Sequence, residues 1–299
     1  MNRIILIPVV LGIAILSACS ASKTAKAKSK KEVAFKKTES GMEYKMLHDA
    51  EGANAKEGDY VELHIRTLYN NDSLIFNSRE QNGGNPVKFP VSPPKFHGDL
   101  AEAIMMMSPG DSMIAVVTVD SLKKAGQRTQ PWMKDGGKIY YSLTLLSAKT
   151  QEAVNKERDA VTTAQMQTDD AILQKYFADN NIKPVKHSNG MYYVITKPGT
   201  GEKIKDGQKA FMNYSGRTLD GNVFDSNIDP KFNHVEPLSF PVGRSHVIRG
   251  WDEGVTVLNK GAKATFYIPS PLAYGPNSPT PAIPANSILI FDVELMDIR

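Results

Sequence analysis

The chain has 299 residues, of which 41% are hydrophobic and 23% charged, and its formal net charge is +4 at pH 7. This length is enough for two domains, and the apolar fraction is that of an ordinary globular protein. Much of the basic excess sits in residues 23–37 without alternating aromatic residues, which argues against a nucleic-acid-binding protein.

The first residues have the features of a secretion signal. Arg3 precedes an apolar run, Ile4 to Leu16, that is too short for a membrane span, and the run ends in Leu16-Ser17-Ala18-Cys19. These four residues resemble the lipobox of bacterial lipoproteins. The resemblance implies a signal peptide over residues 1–18 and lipid attached to the sulfur of Cys19; an ordinary secretory signal is the alternative. Because Cys19 is the only cysteine, an intrachain disulfide is excluded.

The segment after Cys19 is rich in lysine, alanine and serine and predicts a flexible tether over residues 19–37. Ser20 stands where an aspartate would favour retention in an inner membrane. We therefore expect a lipid-anchored protein of the cell envelope, on the periplasmic face of an outer membrane.

Two parts of the chain repeat one another at an offset of about 150 residues. The matched segments, in order, are Ser40–Tyr44 with Asn189–Tyr193, Lys56–Asp59 with Lys205–Gln208, Phe76–Ser78 with Phe224–Ser226, Phe89–Val91 with Phe240–Val242, Gly98 with Gly250, Ser108–Gly110 with Asn259–Gly261, and Ile139–Leu143 with Leu289–Val293. Seven ordered matches indicate two copies of one domain, residues 38–149 and 188–299.

Each copy predicts an α+β domain with a mostly antiparallel sheet, because short alternating strands are separated by Gly, Asn and Asp turns. Residues Leu219–Val223 form a hairpin turn signal. One short helix begins near Gly250 and carries Trp251 and Val255 on one face.

The segment between the copies, residues 150–187, predicts a long helical linker. Residues Gln151 to Phe177 contain no Gly or Pro and are rich in helix-forming residues, and Pro184 closes the segment. Apolar positions are sparse, so only the C-terminal half of the helix is expected to dock. A spacer role is the usual one for such a helix, and dimerisation through residues 151–177 is the alternative.

The second copy contains five ordered blocks, which are Asn213–Gly216, Val223–Ser226, Val247–Gly254, Ala273–Gly275 and Ile290–Leu295. Together these blocks resemble the FKBP family of peptidyl-prolyl isomerases. The resemblance implies two FKBP-like domains joined by the long helix, each with a twisted antiparallel sheet wrapped around a short helix. It also implies an active site between sheet and helix in the second copy.

The resemblance implies a role for each matched residue. Trp251 forms the floor under the substrate proline, and the hydroxyl of Tyr274 and the N–H of Ile248 bind substrate carbonyls. Asp225 accepts a hydrogen bond from Tyr214. The remaining residues of the implied pocket form its walls and rim and are Tyr214, Phe224, Val247, Phe291, Ile283 and Leu238. Taken singly, each aromatic residue is better explained as a core residue, and Asp225-Ser226 as a turn or strand-end cap; the pocket is favoured only by the ordered set.

These residue types suit rotation about an X–Pro bond. The barrier of about 18–20 kcal/mol comes from amide resonance, and the twisted amide is less polar than the planar one, so an apolar pocket favours it over water. The reaction needs no nucleophile, and we expect no cofactor and no metal. The expected partners are proline-containing unfolded or folding polypeptides of the envelope; the alternative function is a non-catalytic chaperone or assembly factor that binds proline-containing segments.

Three departures from the family pattern affect the pocket. An Arg that commonly supports the Asp–Tyr pair is absent from residues 227–236, which also form a longer segment. Leu238 stands where a Phe is often found at the rim, and Ala282 replaces a larger aliphatic residue. We expect a shallower pocket than the full pattern gives.

The first copy lacks most of the pocket residues. Ile65 stands at the place of Tyr214, Asn77 at that of Asp225, and Asp99 and Leu100 follow Gly98, so the floor tryptophan is missing. A different loop, Ser121 to Gly137, replaces the Ala-Tyr-Gly block. The sequence predicts a degenerate FKBP-like domain without isomerase activity.

Overall fold

A computed structural model describes residues 34–299 of the chain. Two compact units are present in the described part: residues 34–57 and 61–147 belong to the first, and residues 148–299 with 58–60 belong to the second. The predicted signal peptide, Cys19 and residues 19–33 of the predicted tether lie outside the described residues.

The first unit contains one seven-stranded sheet and three short helices. The strands are β1 (Lys36–Lys37), β2 (Glu43–His48), β3 (Tyr60–Tyr69), β4 (Ser73–Asn77), β5 (Val87–Pro90), β6 (Ser112–Thr118) and β7 (Lys138–Lys149). The helices are α1 (Ser78–Gln81), α2 (Leu100–Ile104) and α3 (Val119–Lys124). The strand order is β1-β2-β6-β7-β3-β4, with β5 paired to β3. Lys36 and Lys37, which we expected in the tether, instead pair with Tyr44 and Glu43 across β1 and β2, so ordered structure begins before residue 38.

The second unit contains a long helix, a second seven-stranded sheet and a two-stranded pair. Its elements are α4 (Gln151–Asp179), β8 (Val185–Lys186), β9 (Tyr192–Lys197), β10 (Thr200–Lys203), β11 (Lys209–Thr218), β12 (Val223–Ser226), β13 (Leu238–Pro241), α5 (Arg249–Gly254), β14 (Asn259–Lys260), β15 (Lys263–Ile268) and β16 (Leu289–Ile298). The large sheet has the order β12-β11-β16-β15-β9-β8, with β13 paired to β11, and its strands pair antiparallel.

The two large sheets have the same topology. When the strand order of the second sheet is written from its other end, each strand has a counterpart in the first sheet. The order β8-β9-β15-β16-β11-β12 corresponds to β1-β2-β6-β7-β3-β4, and β13 corresponds to β5. The predicted repeat and the predicted α+β fold are therefore confirmed. The core of the second unit forms where inward residues of β11, such as Ala210, Met212 and Tyr214, meet Trp251 of α5. Their spacing of two is the period of a strand with one buried face.

Helix α4 extends two residues beyond its predicted end at Phe177. Its first turn is capped by the hydroxyl of Thr150, which accepts a hydrogen bond from the N–H of Ala153 at 3.2 Å. Its buried residues are Asp169, Leu173 and Phe177, all in the C-terminal half, and the N-terminal half faces solvent, with Val161 70% exposed. As predicted, only the C-terminal half docks, and it docks on the second copy. Between residues 34 and 299, no helix has the length and apolar character needed to cross a membrane.

Candidate active site

An aromatic cluster surrounds Trp251 at the start of α5. The indole ring meets the ring of Tyr214 at 5.3 Å and that of Phe291 at 5.2 Å, and both contacts are nearly perpendicular. Such edge-to-face contacts add to the stabilisation from burial. The helix approaches the sheet closely at Gly250, where a Cβ atom would lie 2.5 Å from Cγ2 of Ile268. The glycine before the tryptophan thus allows the helix to hold its ring against the sheet.

A second glycine shapes the wall of the cluster. Phe224 on β12 and Phe291 on β16 flank β11 and meet edge to face at 5.6 Å. A Cβ atom at Gly216 would lie 2.6 Å from the ring of Phe291 and 2.8 Å from that of Phe224. The absence of a side chain at Gly216 is therefore what lets the two rings meet.

A hydrogen-bonded chain runs from the cluster to the surface. The hydroxyl of Tyr214 donates to Oδ2 of Asp225 at 2.6 Å, and Oδ1 of Asp225 lies 2.7 Å from Nε2 of His234. Burial, followed by the hydrogen bond to Asp225, raises the pKa of Tyr214, so its hydroxyl stays a donor over the whole physiological range. His234 lies in the segment that lacks the Arg expected from the family resemblance, and it gives Asp225 a second hydrogen-bond partner.

The longer segment that carries His234 is fastened to β11 by a buried amide. Asn227 accepts from the N–H of Tyr214 at 2.7 Å and donates to the carbonyls of Met212 and Glu236 at 2.9 and 3.0 Å. The Asn227 side chain thus connects β11 to Glu236, near the other end of the segment. This connection lets a longer segment fold back so that His234 reaches Asp225.

The loop before α5 presents a free backbone donor. Asp252 accepts from the N–H groups of Gly243 and Ser245 at 2.7 and 2.9 Å, which fixes the loop that leads to Val247 and Ile248. Both of these side chains pack against the core. Within residues 34–299, no acceptor takes the N–H of Ile248.

The rim opposite this loop carries Tyr274 and Ile283. Tyr274 is 38% exposed, and its hydroxyl makes no hydrogen bond to any described residue. Burial, with a smaller contribution from the charge of Asp225, raises the pKa of Tyr274, so the hydroxyl remains protonated. Ile283 is buried in the same core, and its loop is tied to the Tyr274 turn by the N–H of Asn286, which donates to the carbonyl of Gly275 at 2.7 Å.

The turn before Tyr274 is held by helix α4. The carboxylate of Asp169 is 1% exposed and accepts from the N–H and the hydroxyl of Ser270, and Gln165 donates to its other oxygen at 2.7 Å. The carbonyl of Ser270 in turn accepts from the N–H groups of Ala273 and Gly275, on either side of Tyr274. The linker helix thus contributes to the frame of the site.

Most of the residues predicted for the site lie together. Tyr214, Phe224, Val247, Ile248, Trp251, Ile283 and Phe291 share one core, and Asp225 and Tyr274 interact with Tyr214 at its edge. Trp251 is only 3% exposed, so surrounding side chains enclose almost all of its ring. Leu238 is 37% exposed on β13, where it pairs with Met212 of β11, and its place at the rim stays a prediction.

Four residues that frame the site were not predicted: His234, Asn227, Asp252 and Asp169. Asn227 and Asp169 could have been suspected from the sequence, because a polar residue that becomes buried when its segment packs needs hydrogen-bond partners. Within the described residues, no group of three or more His, Cys, Asp or Glu side chains is placed to hold a metal ion.

In the first copy the pocket chemistry is replaced by structural hydrogen bonds. Asn77, at the place of Asp225, caps α1 by accepting from the N–H of Arg79 at 3.1 Å. Asp99, after Gly98, caps α2 and accepts from the N–H groups of Lys95 and Ala101. Within the described residues, neither Asn77 nor Asp99 accepts a hydrogen bond from a tyrosine hydroxyl.

Comparison with known proteins places residues 200–296 in the family described as FKBP-type peptidyl-prolyl cis-trans isomerase. A probable isomerase of this type from Haemophilus influenzae is 31% identical over 181 residues, which are 60% of this chain and 71% of that protein. The isomerase FkpA of Escherichia coli is 39% identical over 42% of this chain and 43% of its own length. FK506-binding protein 4 of Rhizopus delemar is 40% identical over 39% of this chain and 29% of its own length. The chain thus spans less than half of the latter two relatives. The match to the protein from Haemophilus influenzae extends well beyond the second copy, and the chain belongs to the FKBP-type peptidyl-prolyl cis-trans isomerase family.

Proposed function

We propose that the second copy catalyses cis–trans isomerisation of X–Pro bonds in polypeptides. One observation carries the proposal: two donors without partners, the hydroxyl of Tyr274 and the N–H of Ile248, belong to the rim of a cluster in which Trp251 is enclosed by Tyr214 and Phe291. The cluster supplies an apolar surface for a proline ring, and the donors can hold the carbonyls that flank it.

The proposed mechanism is desolvation with orientation. When the proline ring rests on Trp251, water is removed from the amide. The free energy of the less polar twisted state then falls relative to that of the planar state. The two donors hold the substrate backbone on either side of the X–Pro bond. Binding energy then stabilises the twisted amide more than the planar one. Asp225 holds the Tyr214 hydroxyl at 2.6 Å, which keeps this ring in the wall. The uncatalysed reaction takes tens to hundreds of seconds, so such a catalyst would speed proline-limited folding.

A proline-limited refolding assay tests the proposal. The wild-type chain should accelerate the slow refolding phase of a protein with a non-native X–Pro isomer, and Trp251→Ala and Phe224→Ala should lose that acceleration. The alternative, a chaperone that only binds proline-containing segments, requires binding without acceleration. Equal acceleration by the two variants and the wild type would refute the pocket assignment.

We also propose that lipid on Cys19 anchors the protein in the cell envelope, on the periplasmic face of an outer membrane. The lipobox-like residues 16–19 and the lysine-rich segment after them support the proposal. Several acyl chains bind a membrane firmly, because each buried methylene contributes about 0.8 kcal/mol. Substrates would then be folding envelope proteins. Cys19→Ala should move the protein to the soluble fraction, and retention of this variant in membranes would contradict the anchor.

Dimerisation through residues 151–177 stays a prediction. The solvent-facing N-terminal half of α4, with Val161 exposed, is the surface available for it. Sedimentation of the wild type and of Val161→Glu would test it, since only a helix-paired dimer should dissociate in the variant.

A further inference from the structure

The first copy contains a cavity that the proposed function leaves unexplained. It has a volume of about 320 Å³ and lies between the segment after β5, helix α2, helix α3 and the sheet. Most of the residues that line it are apolar, among them Phe89, Phe96, Leu100, Ile104, Val117 and Leu122. Its size is at the lower end of ligand-binding cavities.

The cavity occupies the place that corresponds to the proposed active site of the second copy. Phe89 matches Phe240, Tyr141 matches Phe291, and Asp99 directly follows Gly98 as Trp251 directly follows Gly250. Leu100 and Ile104, which line the cavity from α2, are smaller than a tryptophan ring. The first copy therefore has no tryptophan floor, and a mostly apolar cavity lies at the position where the second copy has its proposed active site.

Two hydrogen-bond donors of this site have no partner within residues 34–299. Tyr141, which corresponds to Phe291 of the second copy, lines the cavity, and its hydroxyl makes no hydrogen bond to a described residue. Burial, with a smaller contribution from Asp99, raises the pKa of Tyr141, so it stays a donor. The N–H of Phe96, two residues before Gly98, matches the N–H of Ile248, two residues before Gly250, and also donates to no acceptor.

The lining does not select a charged ligand. Asp99 is its only carboxylate, and both oxygens already accept backbone hydrogen bonds from Lys95 and Ala101. Lys95, its one basic side chain, is exposed. Apolar walls with two free donors match a ligand that offers an apolar group flanked by neutral acceptors, and an extended polypeptide has this composition.

We propose that the cavity of the first copy binds non-native polypeptide chains by taking up one large apolar side chain, while Tyr141 donates to a neighbouring backbone carbonyl. The site holds the chain and does not catalyse rotation, because it has neither the tryptophan floor nor a Tyr–Asp pair. A chain held by the first copy is presented to the second at a raised effective concentration, which should benefit long substrates and leave short peptides unaffected. Only this last consequence rests on the function proposed for the second copy.

The test measures binding of a permanently unfolded protein, reduced and carboxymethylated α-lactalbumin carrying a fluorescent dye, by anisotropy. Ser92→Trp fills the cavity from its exposed edge, and Tyr141→Phe removes only the hydroxyl. Ser73→Trp, at an exposed position of β4 that does not line the cavity, is the matched control. Each titration is repeated in the Phe224→Ala background, which removes binding by the second copy. The rate of isomerisation of the tetrapeptide succinyl-Ala-Phe-Pro-Phe-p-nitroanilide is measured in parallel.

Ser92→Trp and Tyr141→Phe should each raise Kd for the unfolded protein by about three- to tenfold, the effect of losing one contact or hydrogen bond. Ser73→Trp should leave Kd unchanged, and none of the three should alter kcat/KM for the tetrapeptide. Kd values within twofold of the wild type for both cavity variants would overturn the proposal. Failure of the wild type to isomerise the tetrapeptide would refute the function of the second copy instead, and the comparison of Kd values would still decide this inference.

Discussion

The carboxylate of Asp169 accepts hydrogen bonds from the N–H of Ser270 at 2.6 Å and from its hydroxyl at 2.7 Å. These residues are 101 positions apart, and both are buried. The contact connects the linker helix to the turn that leads to Tyr274. Through this contact, the C-terminal half of α4 packs as part of the second copy.

Asp169→Ala should lower both stability and isomerase activity. It leaves the buried N–H of Ser270 without an acceptor, which costs about 1–3 kcal/mol of unfolding free energy. The Tyr274 turn also loses its anchor, so kcat/KM for the tetrapeptide should fall. Urea unfolding and tetrapeptide kinetics measure the two effects.

Asp170→Asn is the matched control, because Asp170 is the next residue of the same helix. Its carboxylate pairs with Lys186 and Tyr192, away from Ser270, and it should leave kcat/KM unchanged. If the role of Asp169 acts through Tyr274, Asp169→Ala should cost less activity in a Tyr274→Phe background than alone. Full additivity of the two changes would contradict this role.

His234→Ala should reduce kcat/KM by about two- to fivefold, the scale of one solvent-accessible charge-assisted hydrogen bond. The reason is that Asp225 loses the partner at 2.7 Å that orients it toward Tyr214. His234→Arg should preserve activity, since a guanidinium can donate to the same carboxylate. Lys231→Ala, in the same segment, is the control. An unchanged rate for His234→Ala would show that Asp225 needs no support.

Gly216→Ala should impair the pocket without changing any polar group. The new methyl group would lie within 3 Å of the rings of both Phe224 and Phe291, so the rings must separate. We expect a loss of about 1–3 kcal/mol in unfolding free energy from overpacking, together with a lower kcat/KM. Ser215→Ala, one residue earlier on β11, should have neither effect. Normal activity in a stable Gly216→Ala chain would show that the ring contact is dispensable.

Unfolding free energy should decrease above about pH 10, the pKa of tyrosine in an unfolded chain. Burial is the largest cause that raises the pKa of five tyrosines, which are Tyr141, Tyr192, Tyr214, Tyr267 and Tyr274. The folded chain therefore keeps protons that the unfolded chain releases, so stability is complete below pH 10 and is lost as the pH rises. Denaturant unfolding between pH 8 and 11 measures this, and Tyr214→Phe should flatten the decline. A slope that is the same in Tyr214→Phe would contradict the raised pKa of Tyr214.

The ordered aromatic and glycine blocks were sufficient to predict the fold and most of the cluster. Strand periodicity places Tyr214 and Gly216 on one face, and the helix that contains Gly250 carries Trp251 onto that face. Local patterns also predicted α4 to within two residues at its C-terminal end. These features depend on the spacing of residues within single elements.

The residues that sequence reasoning missed act across long separations. Asp169 meets Ser270 only after α4 has docked, and His234 returns to Asp225 only because Asn227 fastens both ends of a longer segment. No periodicity specifies such contacts. The cavity of the first copy was missed for a related reason, since the loss of a floor residue does not by itself say whether neighbouring side chains fill the space.

The most direct test of the central claim is kcat/KM of Phe224→Ala for the tetrapeptide succinyl-Ala-Phe-Pro-Phe-p-nitroanilide, with folding checked by circular dichroism. Phe224 is a partly buried wall residue whose ring meets Phe291 at 5.6 Å. Removing it admits water to the pocket, so kcat/KM should fall about tenfold or more while the chain stays folded. A folded Phe224→Ala chain with kcat/KM within twofold of the wild type would contradict the claim that this aromatic pocket isomerises prolyl bonds.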